Sequence, residues 1–262
     1  MMIKTALITG ASSGIGEVFA RRFAEQGYHV ILAARSKDKL ERLAAELAKQ
    51  YGVEVHVIHI DLSVPNAASE VYNHTERLGK QVDILVNNAG IGLSGEFLNH
   101  DQEAYRKQVM LNAASVLEMT HLYLPGMLAK GSGVIINTAS LLAFFPFPYC
   151  SVYSATKAFV LSFTESIREE YRHRGIQVLA LCPGPTDTNF FQSAKDVETA
   201  KKRTPEQVVD TAMKALKRNK SYVIDGTNNY FTALLGRILP RKTVVQLFGA
   251  AMRKSIASKI SR

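Results

Sequence analysis

Apolar and polar positions along this chain follow two periods that take turns. Short runs rich in β-branched residues recur at 5–9 (TALIT), 29–34 (HVILAA), 53–60 (VEVHVIHI), 82–87 (VDILVN), 133–140 (GVIINTAS), 176–182 (IQVLALC) and 221–224 (SYVI). Between them, apolar residues return every three to four positions over Gly14 to Gln26, Lys37 to Gln50, Asn66 to Leu78, Gln102 to Leu128, Ser151 to Arg174 and Pro205 to Arg218. The first set reads as strands and the second as helices. Strands that alternate with helices build a parallel sheet, because each right-handed crossover lays its helix back over the sheet. The pattern predicts an α/β fold: a doubly wound parallel sheet of about seven strands between two helical layers, one domain over residues 1–227. Residues 228–262 read as an amphipathic C-terminal extension of that domain, two short helices broken at Pro240.

Composition narrows the classes. The chain has 262 residues, 47% hydrophobic and 21% charged, which is ample for a buried core. Its two cysteines, Cys150 and Cys182, are far apart and read as small buried hydrophobes in a reducing compartment. The start, MMIKTALITG, meets charge and glycine before an apolar signal core can form, and no apolar run approaches the ~18 residues of a membrane span. A cytoplasmic protein is the expectation. Net charge is +9, yet seven Lys or Arg and no acid fall from Asn228 onward, so residues 1–227 carry only +2. No basic stripe with interleaved aromatics crosses the body, which argues against nucleic acid. His56 and His59 sit three apart on a strand and face opposite ways, and no Cys or His cluster has metal spacing, so no metal site is expected.

In a doubly wound sheet, ligands bind past the carboxyl ends of the strands, so polar residues at strand ends carry the candidate chemistry. The first strand runs into TGASSGIG, which places Gly10, Ser12, Ser13, Gly14, Ile15 and Gly16 at a strand-to-helix corner. Gly10 permits a tight turn, Gly14 lets backbone approach a pyrophosphate, and Gly16 lets the helix pack close, while the helix N-terminus attracts phosphate. The second strand ends in Arg35 and Ser36, where an NAD site would place an acid for the ribose hydroxyl. A guanidinium there pairs with the 2'-phosphate of NADP(H), with Ser12 and Ser36 as further donors; a solvated surface arginine is the competing reading. Asp61 and Leu62 follow the third strand, and Asn87, Asn88, Ala89 and Gly90 follow the fourth. They either line the nucleotide cleft, Asp61 accepting from the adenine amino group, or serve as caps and turns.

Ser140 ends the fifth strand, Tyr153 follows 13 positions later, and Lys157 lies one helical turn beyond Tyr153 on the same face. A tyrosine titrates near pH ~10, but an adjacent ammonium and a cationic oxidised nicotinamide favour its phenolate. Tyr153 so tuned exchanges a proton with a carbonyl oxygen as hydride moves at its carbon, while Ser140 polarises that oxygen and Lys157 tethers the ribose. Ser140 lacks the G-x-S-x-G context of a hydrolase nucleophile.

TGASSGIG, NNAG, Ser140 with YSATK, and CPGPTDT, in this order and spacing, resemble the short-chain dehydrogenase/reductase family over roughly residues 3 to 226. The resemblance implies a Rossmann-type domain, Ser140, Tyr153 and Lys157 as catalytic residues, and assembly as a homodimer or homotetramer through helix pairing. It also implies that Asn112 holds a water relaying protons through Lys157, and that Pro183 and Gly184 open a loop whose Thr186 and Thr188 hold the nicotinamide carboxamide. Two departures stand out: Pro185 removes one N–H from that loop, and Ser13 stands where many NADP-preferring relatives carry Lys or Arg. The expected activity is NADP(H)-dependent interconversion of a ketone or aldehyde and an alcohol, with a 3-oxoacyl thioester reductase or a non-catalytic NADP sensor as alternatives.

Substrate signals lie in the variable stretches. LLAFFPFPYCSV, between Ser140 and Tyr153, is nearly all apolar and either walls a greasy substrate pocket or packs a core. Residues 185–204 read as a helical lid, with Lys201, Lys202 and Arg203 as either an anion-attracting cluster or a solvated face. The basic extension 228–262 either rests on an anionic bilayer surface or packs on its own body or a sister subunit.

Overall fold

The computed structural model describes residues 4–188, 190 and 202–260, with side chains through Lys254. Seven parallel strands form one sheet: β1 (Thr5–Thr9), β2 (His29–Ala34), β3 (Val55–His59), β4 (Ile84–Asn87), β5 (Gly133–Thr138), β6 (Ile176–Cys182) and β7 (Tyr222–Ile224), in the spatial order β3-β2-β1-β4-β5-β6-β7. The chain winds outward from β1 to β3, then returns to the other side of β1 at β4. The crevice where the winding reverses therefore opens past the carboxyl ends of β1 and β4.

Helices α1 (Gly14–Glu25), α2 (Lys37–Tyr51) and α7 (Pro205–Lys217) cover one face. There Phe19, Phe23, Leu40, Leu47 and Val208 pack on Ala6, Ile8, Val30 and Leu32. On the opposite face lie α3 (Ala67–Arg77), α4 (Gln102–Val109), α5 (Ser115–Lys130) and α6 (Ser151–Tyr171). Val71, Met119, Tyr123 and Met127 of α3 and α5 pack there on Leu7, Ile31, Leu85 and Ile135. Successive residues of β1 thus enter opposite cores, which explains why its run is apolar throughout.

The expected doubly wound three-layer fold is present, and three local departures matter. The helix predicted over 102–128 is interrupted by a π-turn, Met110–Ala114, that carries Asn112. The fifth strand stops at Thr138, and Ser140 instead caps a 3-10 turn over Leu141–Ala143, its Oγ accepting from the Leu142 N–H at 3.1 Å. The extension breaks at Pro240 as expected, into α8 (Thr227–Ile238) and α9 (Arg241–Ile260), but α9 has 20 residues and is not short. Their inward side chains Ala233 and Val244 share a core with Leu141 and Phe145. Phe145 also stacks on Phe248 at 4.7 Å between ring centroids.

Both cysteines are free and buried, as expected of small apolar residues.

Candidate functional site

The glycine corner is a cradle with no room for side chains. Gly10 has φ +66°, and a Cβ there would stand 2.9 Å from Ala89 Cα; one on Gly16 would stand 2.3 Å from the Gly10 carbonyl oxygen. Gly14, at φ +59°, faces the Thr188 methyl, 2.9 Å from where its Cβ would be. Ser13, extended at φ −170°, precedes the first turn of α1, and its side chain makes no cap hydrogen bond. Ser12, Ile15 and Gly16 follow the same bend, so backbone N–H groups of the α1 N-terminus meet the crevice.

Thr9 ties this corner to β4. Its Oγ1 accepts from the N–H groups of Asn88 and Ala89 at 2.9 and 3.1 Å, and its own hydroxyl donates to the Val86 carbonyl at 3.2 Å. The Asn88 amide donates to the Thr9 carbonyl at 3.2 Å, and its Oδ1 accepts from the Thr138 hydroxyl at 3.4 Å. Asn87 does not line the cleft: its side chain is buried inside the sheet layer, donating to Asn137 Oδ1 at 2.9 Å and Thr120 Oγ1 at 3.3 Å. Strand alternation turns one Asn inward and leaves its neighbour at the crevice.

Arg35 and Ser36, just past β2, are exposed, and Arg35 makes no ion pair among the described residues. Asp61 accepts from the Ser63 N–H at 2.9 Å and the Ser63 hydroxyl at 2.7 Å. Burial pushes its carboxyl up, but those two bonds, with the positive charges of Arg35 and Lys107, hold it below the ordinary value. Asp61 is thus both a turn-former and a carboxylate at the crevice edge, while the Leu62 side chain beside it is buried in the core.

The predicted chemical residues converge past β5. Lys157 is buried, donates from Nζ to the Thr138 carbonyl at 2.7 Å, and lies 5.8 Å from the Tyr153 ring centroid. Tyr153 is buried, hydrogen-bonds Ser140, and meets the Phe190 ring edge-on at 5.9 Å. In the π-turn, the Asn112 amide donates to the Ile91 carbonyl at 2.8 Å while Oδ1 accepts the Ile91 N–H at 2.9 Å. Asn112 also donates to Thr156 Oγ1 at 3.3 Å, which joins it to the helix carrying Tyr153 and Lys157. Gly90 lies among them: a Cβ there would be 3.1 Å from Asn112 Oδ1 and 3.7 Å from Lys157 Nζ.

The electrostatics correct one expectation. From the protein's own groups the Tyr153 phenol is not acidified: burial, the largest effect, pushes it well above its ordinary value, and the Ser140 hydrogen bond only partly offsets this. Burial likewise pulls the Lys157 ammonium down to about 8. Exclusion of water disfavours phenolate and ammonium alike.

In the loop after β6, the Pro183 carbonyl accepts from the Leu141 N–H at 2.8 Å, which locks the loop to the turn after Ser140. Gly184 is pressed against Asn229 of α8. Thr186 donates to the Gly184 carbonyl at 3.0 Å and pairs with Arg203, and Thr188 Oγ1 accepts from the Phe190 N–H at 3.4 Å. Apart from its ends, the lid predicted over 185–204 lies outside the described residues. At its far end Arg203 is no member of a free cationic cluster, because its Nε donates at 2.6 Å to the buried Asp225, which also accepts from Thr211 at 2.6 Å. Leu141 and Phe145 pack into the core beneath α8 and α9, and Phe145 also lines a cavity with Phe144, Phe147 and Ala158.

Thr9, Thr138, Ile91 and Asp225 were given no role from sequence. Thr9 stood inside the glycine motif, and the others act through backbone groups or through partners distant in the chain.

The model of the short chain dehydrogenase family matches residues 4–199. A very-long-chain 3-oxoacyl-CoA reductase of Anas platyrhynchos is 35% identical over 248 residues, covering 92% of this chain and 78% of that protein. The structure of a short-chain dehydrogenase from Sphingobium yanoikuyae in complex with NADPH is 34% identical, with TM-score 0.82 over 90% of this chain and 93% of that one. The bulky-bulky ketone specific alcohol dehydrogenase from Comamonas testosteroni is 30% identical, with TM-score 0.78 over the same shares.

Proposed function

This chain belongs to the short-chain dehydrogenase/reductase family, and from that premise we propose that it is an NADP(H)-dependent reductase of apolar ketones. The family acts on alcohol and carbonyl groups; cofactor choice, direction and substrate are the parts proposed. One observation carries the reading: Ser140, Tyr153 and Lys157 converge in a buried cluster that shares its crevice with the glycine cradle.

The residues fit the dinucleotide. Gly10, Gly14 and Gly16 leave a cradle that any side chain would fill, Arg35 takes the 2'-phosphate, and Asp61 with the Leu62 backbone takes the adenine. Asn88, Ala89 and Gly90 flank the ribose, and Thr186 and Thr188 take the carboxamide. The nicotinamide, when bound, supplies hydride to the carbonyl carbon. Ser140 and Tyr153 hydroxyls hold the carbonyl oxygen, and Tyr153 gives it a proton. At neutral pH the phenol is in its protonated form, the form this direction needs, while burial by itself leaves it a weaker acid than a group tuned near the working pH. Lys157, titrating at about 8, anchors the ribose, and Asn112, clasped to Ile91, holds a water that relays protons through Lys157. The exposed Val109, Leu117 and Phe159 serve helix pairing in a homodimer or homotetramer, a mass that light scattering reads directly.

A second reading, reduction of 3-oxoacyl thioesters, is favoured by the relatives that carry that name at 30–36% identity.

The test follows NADPH absorbance with a panel of bulky ketones and a 3-oxoacyl thioester. Tyr153→Phe is expected to lower kcat by about 10²–10⁴-fold with NADPH affinity kept. Arg35→Ala is expected to cut the preference for NADPH over NADH by about tenfold or more. Turnover of no carbonyl despite tight NADPH binding would identify a sensor instead, and equal use of NADH untouched by Arg35→Ala would end the NADP assignment.

A further inference from the structure

Helix α8 presents two opposite characters. Its inner face is committed to the body: Ala233 is buried, Gly236 presses on the Phe145 ring, and Asn229 donates to the Asp225 carbonyl at 2.6 Å. Its outer face carries Tyr230, Phe231, Leu234, Leu235 and Ile238, at spacings i, i+1, i+4, i+5 and i+8, which forms one apolar stripe roughly 140° wide. Phe231 and Ile238 are 58% and 69% exposed, and Leu247 on α9 adds a further exposed side chain. Five large apolar residues on the open side of a 12-residue helix are a surface awaiting a partner.

Charge selects the partner. Residues 228–262 contain seven Lys or Arg and no acid. Arg237, whose guanidinium lies 5.1 Å over the Phe144 ring, and the exposed Arg241 and Lys242 border the stripe. A two-fold contact of this patch with its copy would bring two sets of cations into one interface with no acid of residues 228–262 to pair with them. An anionic bilayer meets both requirements, since the interface accepts aromatic and aliphatic side chains while lipid phosphates and carboxylates attract the flanking cations.

We propose that the outer face of α8, with the cationic start of α9, is a docking surface for an anionic lipid bilayer. The surface lies on the helix whose inner side packs against Gly184 and the wall after Ser140, so the bilayer stands beside the reaction crevice. No helix among the described residues is long and apolar enough to cross a membrane, and the contact is peripheral. This docking is independent of which carbonyl is reduced.

The full chain is sedimented with vesicles of phosphatidylcholine alone and of phosphatidylcholine with phosphatidylserine. It pellets with the second and not the first, and raised salt weakens the association. Phe231→Glu with Leu235→Glu lowers recovery with the anionic vesicles about tenfold, while NADPH oxidation with a water-soluble ketone stays unchanged and reports intact folding. Arg241→Glu with Lys242→Glu gives a similar loss with the stripe intact. The proposal is overturned if the wild type stays in the supernatant with anionic vesicles or if the variants pellet equally. It is also overturned if Phe231→Glu with Leu235→Glu splits an oligomer, which would assign the face to a second copy. Because the readout is sedimentation, its failure leaves the reductase reading standing.

Discussion

The buried ammonium of Lys157 couples stability to pH with a sign that can be worked out. Its folded-state value is pulled by burial from 10.5 to about 8. Between those two values the unfolded chain holds a proton that the folded chain has released, so stability rises with pH across this window. The difference is about 2.5 units, and at about 1.4 kcal/mol per unit it amounts to roughly 3.5 kcal/mol, of which about 3 falls between about pH 7.5 and 10.5. Replacing Lys157 with Met removes the titration and keeps most of the side-chain volume; the lost hydrogen bond to Thr138 is a pH-independent offset. Tyr153, Cys150 and Cys182, all pushed upward by burial, act in the opposite sense, losing stability as pH rises past their ordinary values. They are present in both proteins and cancel in the difference. Urea unfolding of the cofactor-free wild type and Lys157→Met, at several pH values from about 7.5 to 10.5, is therefore expected to show the wild type gaining roughly 3 kcal/mol on the variant. Parallel curves would refute the claim that burial dominates this lysine.

Two further perturbations test the surroundings. Asp225→Asn strips the buried charge that Arg203 and Thr211 satisfy, and is expected to cost about 3 kcal/mol, a fall in Tm of roughly 6–12 °C by calorimetry; an unchanged Tm would contradict the ion pair's structural role. Gly16→Ala drives a methyl to 2.3 Å from the Gly10 carbonyl and forces α1 off the sheet, so the NADPH Kd from fluorescence titration should rise about tenfold or more; an unaltered Kd would remove the cradle from cofactor binding.

Much of this molecule was readable from one dimension. Strand and helix periods depend on which face of a local element is apolar, so the alternation located all seven strands and the body helices. TGASSGIG betrays itself because only glycine tolerates the turn and the close contacts, and the four-residue spacing of Tyr153 and Lys157 is a helix property. Other features needed distant chain. The π-turn at Asn112 exists because its amide clasps Ile91, 21 residues earlier, and nothing in VMLNAAS announces that. Asn87 and Asn88 look equivalent in sequence and are separated only by which side of β4 each faces. For Leu141 and Phe145 the sequence left substrate wall and core packing equally open, and only α8 and α9 show the core that they join.

The sequence by itself determined the alternation of strands and helices, the glycine corner and the choice of Ser140, Tyr153 and Lys157 as the candidate trio, since each is marked by a local pattern. Tertiary structure alone decided how those groups titrate and which apolar residues stay bare. Both depend on how much water the rest of the chain excludes from a point, a sum over segments far apart in sequence that no local pattern records.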